Sequence, residues 1–247
     1  MLMLKNRQLL RNSITTNLKV FIKLSRFILV ILLVACKSDT TNKESTSAST
    51  KTETAPAKVQ NSTSKKILFF GDSLSAGYGL EDVNDAFPGL IQAKIEALNL
   101  DYTVVNSGVS GETTSGGKNR IDWVLNEKPD IFILELGAND GLRGVTLTQT
   151  KENLQYIIDA VKKKYPSTKI VLAGMQLPPN MGQTYTTEFK DLYPSLAIKN
   201  DVYLIPFLLE NVGGIAALNQ SDGIHPTKEG HEILATNVWN VLKPILK

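Results

Sequence analysis

The chain has 247 residues, of which 42% are hydrophobic and 21% charged. This composition is typical of a globular protein with one ordinary domain plus appendages. The formal net charge of +3 is unevenly distributed. Residues 1–35 hold six of the 27 basic residues and no acidic residue, which leaves 21 basic and 24 acidic residues, a net charge of −3, for residues 36–247. A nucleic-acid surface needs a clustered basic face, so no nucleic-acid partner is expected.

The chain contains a single cysteine, Cys36, and two histidines, His225 and His231. One cysteine excludes a disulfide within the chain, and these three residues do not make up a Cys/His zinc cluster. We therefore expect neither a disulfide framework nor a bound metal.

The N-terminal region has the pattern of an export signal. Nine apolar residues, Phe27–Ala35, follow a stretch that contains Lys19, Lys23 and Arg26. This run is too short to span a bilayer, which takes about 20 residues, but it is typical of a secretory signal peptide. Its end, Leu33-Val34-Ala35-Cys36, resembles the bacterial lipobox, in which the chain is cleaved before the cysteine and the cysteine is lipidated. The alternative is a plain membrane anchor with a buried free cysteine.

Residues 37–65 are rich in Ser, Thr, Asn, Lys and Ala and contain almost no large apolar residue, so they cannot bury enough surface to fold. We expect residues 1–35 to be a signal peptide, residues 36–65 a lipidated cysteine with a flexible tether, and residues 66–247 the folded domain. Such a tether has a mean reach of roughly 30 Å. The protein is predicted to be exported and lipid-anchored to a bacterial membrane, on its periplasmic or cell-surface side.

Five short apolar runs in the domain are predicted to be strands that are buried in a sheet. Each ends at or near a glycine, asparagine or proline, which marks a turn. The runs are Ile67–Phe70, Tyr102–Val105, Ile131–Leu134, Ile170–Ala173 and the weaker Val202–Ile205.

Helical patterns lie between these runs. Apolar residues from Phe87 to Leu98 have near-helical spacing, with Asp85 as a possible cap, and a second pattern runs from Leu154 to Val161. Thr227 is placed to cap a last helix. Strands that alternate with helices imply right-handed crossovers and a parallel sheet. The pattern predicts a three-layer α/β/α sandwich.

Polar segments follow the predicted strands, at the edge where open parallel sheets bind their ligands. Among them are a serine, Ser73, and a closely spaced carboxylate and imidazole, Asp222 and His225. A serine hydroxyl becomes a nucleophile when a base takes its proton, and a carboxylate can orient an imidazole for that work. The segments are Gly71–Gly79, Asn106–Thr113, Gly137–Asp140 and Ser221–Pro226. Their residues predict an acyl-transfer site.

Four blocks, in order, resemble those of the SGNH (GDSL) hydrolase family over essentially all of residues 66–247. The resemblance is nearest to the bacterial periplasmic thioesterase/lysophospholipase (arylesterase) subgroup, and it is carried by the longer runs Gly71–Tyr78, Glu135–Gly144 and Asp222–Pro226. Gly108 also fits the second block, but the flanking residues favour Gly111. The blocks are Gly71-Asp72-Ser73-Leu74, the glycine block with Gly111, Gly137-Ala138-Asn139-Asp140, and Asp222 to His225.

The resemblance implies a flavodoxin-like fold with a five-stranded parallel sheet and a serine esterase that needs no metal or organic cofactor. It assigns Ser73 as the nucleophile, His225 as the general base and then acid, and Asp222 as the orienting carboxylate. The oxyanion donors would be the backbone N–H groups of Ser73 and Gly111 and the side-chain amide of Asn139. The expected substrates are acyl esters, thioesters or lysophospholipids, and a monomer is the default expectation.

Two other functions are compatible with the sequence. One is a carbohydrate O-acetylesterase of the same family, which a comparison of acetyl with octanoyl esters would separate from an acyl esterase. The other is a non-catalytic surface lipoprotein that binds acyl chains or glycans, which covalent labelling of Ser73 by a fluorophosphonate would exclude.

The apolar segment Leu177–Gly182 follows the fourth predicted strand. It is either an ordinary connecting loop or a wall of the acyl site, with Leu177, Pro178 and Met181 as candidate substrate contacts, since methionine adapts to varied shapes.

Several other polar, charged and aromatic residues are predicted to have structural roles. We expect His231 to be structural, Asp72, Asp140 and Asn106 to be hydrogen-bond anchors, Trp123 and Trp239 to be core, and Glu112 and Arg143 to form a solvated rim.

Overall fold

The computed structural model describes residues 64–246. The predicted signal peptide, Cys36 and the tether up to residue 63 lie outside the described residues. The described chain contains five β-strands and seven α-helices. The strands are β1 (Lys65–Gly71), β2 (Tyr102–Gly108), β3 (Ile131–Glu135), β4 (Lys169–Ala173) and β5 (Tyr203–Ile205). The helices are α1 (Ser73–Ala76), α2 (Phe87–Ala97), α3 (Thr114–Val124), α4 (Ala138–Leu142), α5 (Leu147–Lys164), α6 (Gln183–Asn200) and α7 (Lys228–Leu242).

The five strands form one parallel sheet in the order β2-β1-β3-β4-β5. Helix α2 contacts α7, while α5 contacts both α3 and α6. The two helix groups cover the two faces of the sheet, so the predicted three-layer, flavodoxin-like α/β/α sandwich is confirmed. This order reverses direction next to β1, and the carboxyl ends of β1 and β3 therefore flank the crevice where such folds bind ligands.

The central strands are buried because their residues are apolar on both faces. All five residues of β3 are buried, and so are the last five of β1. The edge strand β2 is partly exposed and runs to Gly108, beyond the predicted end at Asn106. The strand continues because Asn106, Ser107 and Gly108 still pair with the end of β1. The Asn106 side chain donates to the Ser75 carbonyl at 2.7 Å and accepts from the Gly108 N–H at 3.0 Å.

The predicted helix cap is confirmed for α7 and is wrong for α2. Thr227 caps α7 as expected, with its hydroxyl accepting from the Gly230 N–H. Asp85 does not cap α2, because it lies in a preceding 3₁₀ turn and its carboxylate pairs with Lys228 at 2.9 Å. The first N–H of α2, that of Phe87, instead donates to Nδ1 of His231 at 3.2 Å.

His231 is structural, as predicted. Its ring is buried and stacks on Phe87, and burial lowers the pKa of the imidazole to about 4, so the ring is neutral and can accept this hydrogen bond. The expectation for Trp123 was wrong, because this side chain is 75% exposed near the end of α3. Trp239 is half-buried and packs against the core. No helix within residues 64–246 is long and apolar enough to cross a membrane.

Candidate active site

Ser73 lies at the point where β1 meets α1. It is the first residue of α1, and the side chain of the preceding Asp72 caps this helix by accepting from the Leu74 N–H at 3.0 Å. Gly77 ends the turn with a φ of +73°, a conformation that favours glycine. The apolar strand, the aspartate cap and the glycine stop together place the serine side chain at the carboxyl edge of the sheet.

The structure brings Ser73, His225 and Asp222 into one hydrogen-bonded chain. The Ser73 Oγ is 2.9 Å from Nε2 of His225, and Nδ1 of the same ring is 2.6 Å from Oδ2 of Asp222. The other carboxylate oxygen accepts the backbone N–H groups of Ile224 and His225, each at 3.0 Å. The hydrogen bond from the His225 side chain, followed by these backbone bonds, lowers the pKa of Asp222 to about 2.

The protonation of this chain follows from those contacts. An ionised carboxylate is an acceptor only, so Nδ1 of His225 carries the ring proton. Nε2 is then the acceptor of a hydrogen bond from the Ser73 hydroxyl. This is the tautomer that a general base for a serine nucleophile requires.

The loop that carries His225 is held across the site by Gln220 and Tyr78. The Tyr78 ring lies on the imidazole with centroids 4.5 Å apart. Gln220 donates its side-chain amide to the Tyr78 carbonyl at 2.7 Å and its backbone N–H to the His225 carbonyl at 2.7 Å. These contacts connect the loop that follows Ser73 with the loop that carries Asp222 and His225 (the imidazole loop), although the two are far apart in the sequence.

The three predicted oxyanion donors line one cavity with His225. The Ser73 N–H belongs to the first turn of α1, where backbone donors have no partner within the helix. The Asn139 side chain is held at both ends, since Nδ2 donates to Oδ2 of Asp72 at 3.0 Å and Oδ1 faces Arg143 at 3.5 Å. Arg143 also donates to the Gly111 carbonyl at 3.1 Å. The arrangement can present donors to a developing oxyanion.

The comparisons with known proteins agree with this geometry. A family model described as the GDSL-like lipase/acylhydrolase family matches residues 69–233. The chain belongs to this family. It is therefore a hydrolase of ester bonds, and the predicted resemblance is confirmed.

Two similar proteins and one solved structure each match about three quarters of the chain. Esterase TesA of Pseudomonas aeruginosa is 40% identical over 189 residues, which are 76% of this chain and 92% of that protein. The thioesterase 1/protease 1/lysophospholipase L1 of Escherichia coli K12 is 36% identical over 181 residues, 73% of this chain and 84% of that protein. A crystal structure of TesA matches with a TM-score of 0.71 and 40% identity, covering 74% of this chain and all of that one.

The two candidate glycines of the second GDSL-family block have different places. Gly108 ends β2, where an added Cβ would lie 2.4 Å from the backbone nitrogen of Ala76, so this position is filled by close packing on α1. Gly111 has a φ of +78° and lines the cavity beside Ser73. The geometry therefore favours Gly111 for the site.

The loop that carries Gly111 is supported by a partly buried ion pair that the sequence did not reveal. Glu112 is not part of a solvated rim, because its side chain is 7% exposed and pairs with the guanidinium of Arg120. Arg120 also donates to the hydroxyl and carbonyl of Ser107 and stacks on the Phe70 ring, 3.9 Å from its centroid. The following turn is anchored by Asp140, whose carboxylate accepts the N–H and hydroxyl of Thr114.

The hydrolase site opens into a cavity of about 680 Å³. Leu177 and Pro178 line it, but Met181 does not, because the chain turns away in the 3₁₀ helix Pro179–Met181. Sequence reasoning missed most of the other walls, because it assigned no substrate contact to the apolar residues of the motif-bearing loops and because Phe207 and Leu209 come from a segment without a motif. The apolar residues among them are Tyr78, Leu142, Pro179, Phe207, Leu209 and Ile224.

Another acid was also missed. Glu135, at the end of β3, is fully buried beneath the Ser73 loop and next to Asp72. Burial raises the pKa of Asp72 to about 6, and burial together with the charge of Asp72 raises the pKa of Glu135 well above its ordinary value. No group of three or more His, Cys, Asp or Glu side chains within residues 64–246 is arranged to hold a metal ion.

Proposed function

We propose that the protein hydrolyses carboxylic esters and thioesters of acyl chains through an acyl-enzyme on Ser73. The observation that carries this proposal is the hydrogen-bonded chain from Ser73 through His225 to Asp222, which ends in a cavity with largely apolar walls. The same arrangement of serine, imidazole and carboxylate supports acyl transfer on unrelated folds.

The reaction has two steps. Ser73 Oγ attacks the substrate carbonyl carbon while Nε2 of His225 takes the hydroxyl proton, and the carbonyl oxygen becomes an oxyanion. The N–H groups of Ser73 and Gly111 and the Asn139 amide stabilise that charge. The tetrahedral intermediate collapses, and the alcohol or thiol leaves with the proton from His225. Water, deprotonated by His225, then attacks the acyl-enzyme, which releases the acid and restores Ser73.

The cavity favours an acyl chain over an acetyl group as the acid part of the substrate. Its lining includes the apolar residues Leu177, Pro178, Phe207 and Leu209, so the walls can bury methylene groups, each worth about 0.8 kcal/mol of binding. The names of the similar proteins, esterase and thioesterase/lysophospholipase, support esters, thioesters and lysophospholipids as the substrate class.

We also propose that the domain works outside the cytoplasm as a monomer on a lipidated anchor at Cys36. The support is the N-terminal pattern of basic residues, the short apolar run Phe27–Ala35 and the cysteine that follows it. Two or more acyl chains hold a protein firmly on a membrane, where acyl lipids are present.

A chain-length profile tests the substrate class. The purified protein is assayed with p-nitrophenyl acetate, p-nitrophenyl octanoate, an acyl thioester and a lysophospholipid, with Ser73→Ala as the control. We expect a higher kcat/KM for octanoate than for acetate and no turnover above background by the variant. An acetate preference would favour the O-acetylesterase instead, and inactivity on every substrate would favour a non-catalytic binding protein.

A further inference from the structure

Glu135 is a fully buried carboxyl group that the proposed mechanism does not use. It is the last residue of β3 and lies opposite Gly71, the last residue of β1, in the sheet register. An added Cβ at Gly71 would come within 2.3 Å of Oε2 of Glu135. The glycine before the nucleophile loop therefore leaves the space that this carboxyl fills.

One oxygen of Glu135 holds the backbone on both sides of the nucleophile. Its Oε2 accepts the N–H of Asp72 at 3.1 Å, the N–H of Ser75 at 3.3 Å and the Ser75 hydroxyl at 2.8 Å. Ser73 lies between these two residues, so the three bonds set the conformation of the turn that presents its hydroxyl.

The other oxygen of Glu135 has the opposite environment. Oε1 is buried, and no donor within residues 64–246 reaches it. A carboxylate oxygen left without a donor in the interior is costly, whereas the hydroxyl of a protonated acid needs an acceptor instead of a donor. Asp72, whose N–H donates to Oε2 of the same acid at 3.1 Å, is the neighbouring carboxylate that can accept from that hydroxyl.

The charge balance leads to the same protonation. Asp72 and Glu135 are both buried, and no basic side chain is bonded to either of them among the residues the structure describes. Two neighbouring carboxyl groups in such a place do not both ionise. Asp72 accepts a backbone N–H and the Asn139 amide on its two oxygens, which makes it the better place for the negative charge.

We propose that Glu135 is a positioning residue, a neutral carboxylic acid that fixes the nucleophile and an oxyanion donor together. Its carbonyl oxygen, Oε2, holds the turn around Ser73, and its hydroxyl at Oε1 donates to Asp72, which in turn orients the Asn139 amide. One buried acid thereby connects the attacking oxygen with a group that stabilises the resulting charge. The proposal rests on the proposed function of Ser73 as the nucleophile.

Glu135→Gln and Glu135→Ala separate this role from mere packing. The amide of Gln can accept the three bonds through its oxygen and donate to Asp72 through its nitrogen. We expect Glu135→Gln to keep kcat within about fivefold, about the worth of one neutral hydrogen bond. Glu135→Ala frees the turn and should lower kcat by roughly 10²-fold, the cost of a small misplacement of a reacting group, with KM changed far less.

The outcomes of this comparison decide the proposal. A kcat loss above roughly 30-fold in folded Glu135→Gln would contradict it, because an ionised Glu135 would then be required. Wild-type kcat in Glu135→Ala would also contradict it, because the residue would then only fill space. If the alanine variant does not fold, the Gln variant and the spectrum described next still decide.

The protonation state has a readout that needs no turnover. The infrared spectrum of the wild type at pH 7 should contain the carbonyl stretch of a buried carboxylic acid, which Glu135→Gln removes. The matched control is Glu112→Gln, since the Glu112 side chain is only 7% exposed but pairs with Arg120, and this variant should keep the band. A wild type without the band would overturn the neutral assignment. A wild type with the band but without esterase activity would overturn the proposed function instead.

Discussion

Two carboxylates flank the Ser73 site, and their surroundings differ sharply. Asp222 lies on the loop that carries His225, and its side chain is 38% exposed. Asp72 and the neighbouring Glu135 are buried beneath the turn that carries Ser73, and we call this pair of acids the floor of the site. Hydrogen bonds, above all from His225, lower the pKa of Asp222 to about 2, whereas burial raises that of Asp72 to about 6.

The difference separates two tasks. The exposed carboxylate keeps its charge at any ordinary pH, so it can hold the ring tautomer and stabilise the imidazolium that forms during the reaction. The buried floor holds one negative charge, on Asp72, away from solvent, and its groups act by fixing the backbone and the Asn139 amide. Changes in the imidazole loop should therefore affect turnover, and changes in the floor should affect stability and geometry as well.

Among changes to the two carboxylates and the cavity, the largest expected effect comes from removing the charge of Asp222. Asp222→Asn should lower kcat by roughly 10⁴-fold, because the amide can stabilise the wrong tautomer of His225. The measurement is the steady-state rate with p-nitrophenyl octanoate. Asp82→Asn is the control, since Asp82 also caps a short turn through its side chain but lies outside the cavity. A loss below tenfold in Asp222→Asn would break the assignment of this loop.

The group that the floor orients should have the next largest effect. Asn139→Ala removes one oxyanion donor and should lower kcat by about 10²–10³-fold with little change in KM. Steady-state kinetics on the same substrate measure both constants. A rise in KM at constant kcat would indicate that Asn139 binds the ground state and not the oxyanion.

Asp72→Asn tests the floor through stability. The native state raises the pKa of Asp72 from 3.8 to about 6, so it binds this proton more tightly than the unfolded chain does. The resulting stabilisation is complete below pH 3.8 and is lost as the pH rises through about 6. The wild type should lose about 2 kcal/mol of unfolding free energy relative to Asp72→Asn between pH 4 and pH 7, at 1.36 kcal/mol for each pKa unit, because part of the effect already lies below pH 4.

Urea denaturation across this range measures the difference. Asp222→Asn is the counterpart, because the pKa of Asp222 is lowered and its stabilising contribution is present above pH 3.8 and lost only as the pH falls towards 2. The gap between wild type and Asp222→Asn should stay constant from pH 4 to pH 7. If the unfolding free energies of Asp72→Asn and Asp222→Asn depended on pH in the same way, the contrast between loop and floor would be contradicted.

The smallest effect should come from Leu177, an apolar residue of the cavity lining. Leu177→Asn places a polar group against the acyl chain and should reduce kcat/KM for octanoate by about tenfold, within the 1–3 kcal/mol of a poorly fitted methylene group. Acetate, which does not reach the wall, should be hydrolysed nearly as well as by the wild type. Equal losses for both esters would rule out Leu177 as a chain contact.

Much of the fold and the meeting of the site residues could be predicted because they follow from local patterns. Each apolar run ends at a turn signal, and parallel strands bring such ends to one edge. Ser73, Asn139 and His225 follow such ends, so their meeting at one edge of the sheet could be predicted.

The parts that could not be predicted depend on long-range packing. Glu135 is the last residue of an apolar strand. From the sequence alone, a buried acid at this position looks the same as one that leaves the sheet for solvent. Glu112 is also an acid in a loop, and only the folded chain brings Arg120 to it. Phe207 and Leu209 line the cavity from a segment without periodicity or a motif. Trp123 has helical spacing but lies on the exposed side of α3, so its burial was wrongly inferred.

The central claim is that Ser73 forms a covalent bond to the acyl group, and a mechanism-based label tests it most directly. The purified protein is treated with a fluorophosphonate, and the modified residue is located by peptide mass mapping, with Ser73→Ala in parallel. We predict one label per chain on Ser73, no label on the variant, and a loss of turnover of up to about 10⁶-fold in that variant. A label on another serine, or wild-type hydrolysis by Ser73→Ala, would contradict the claim.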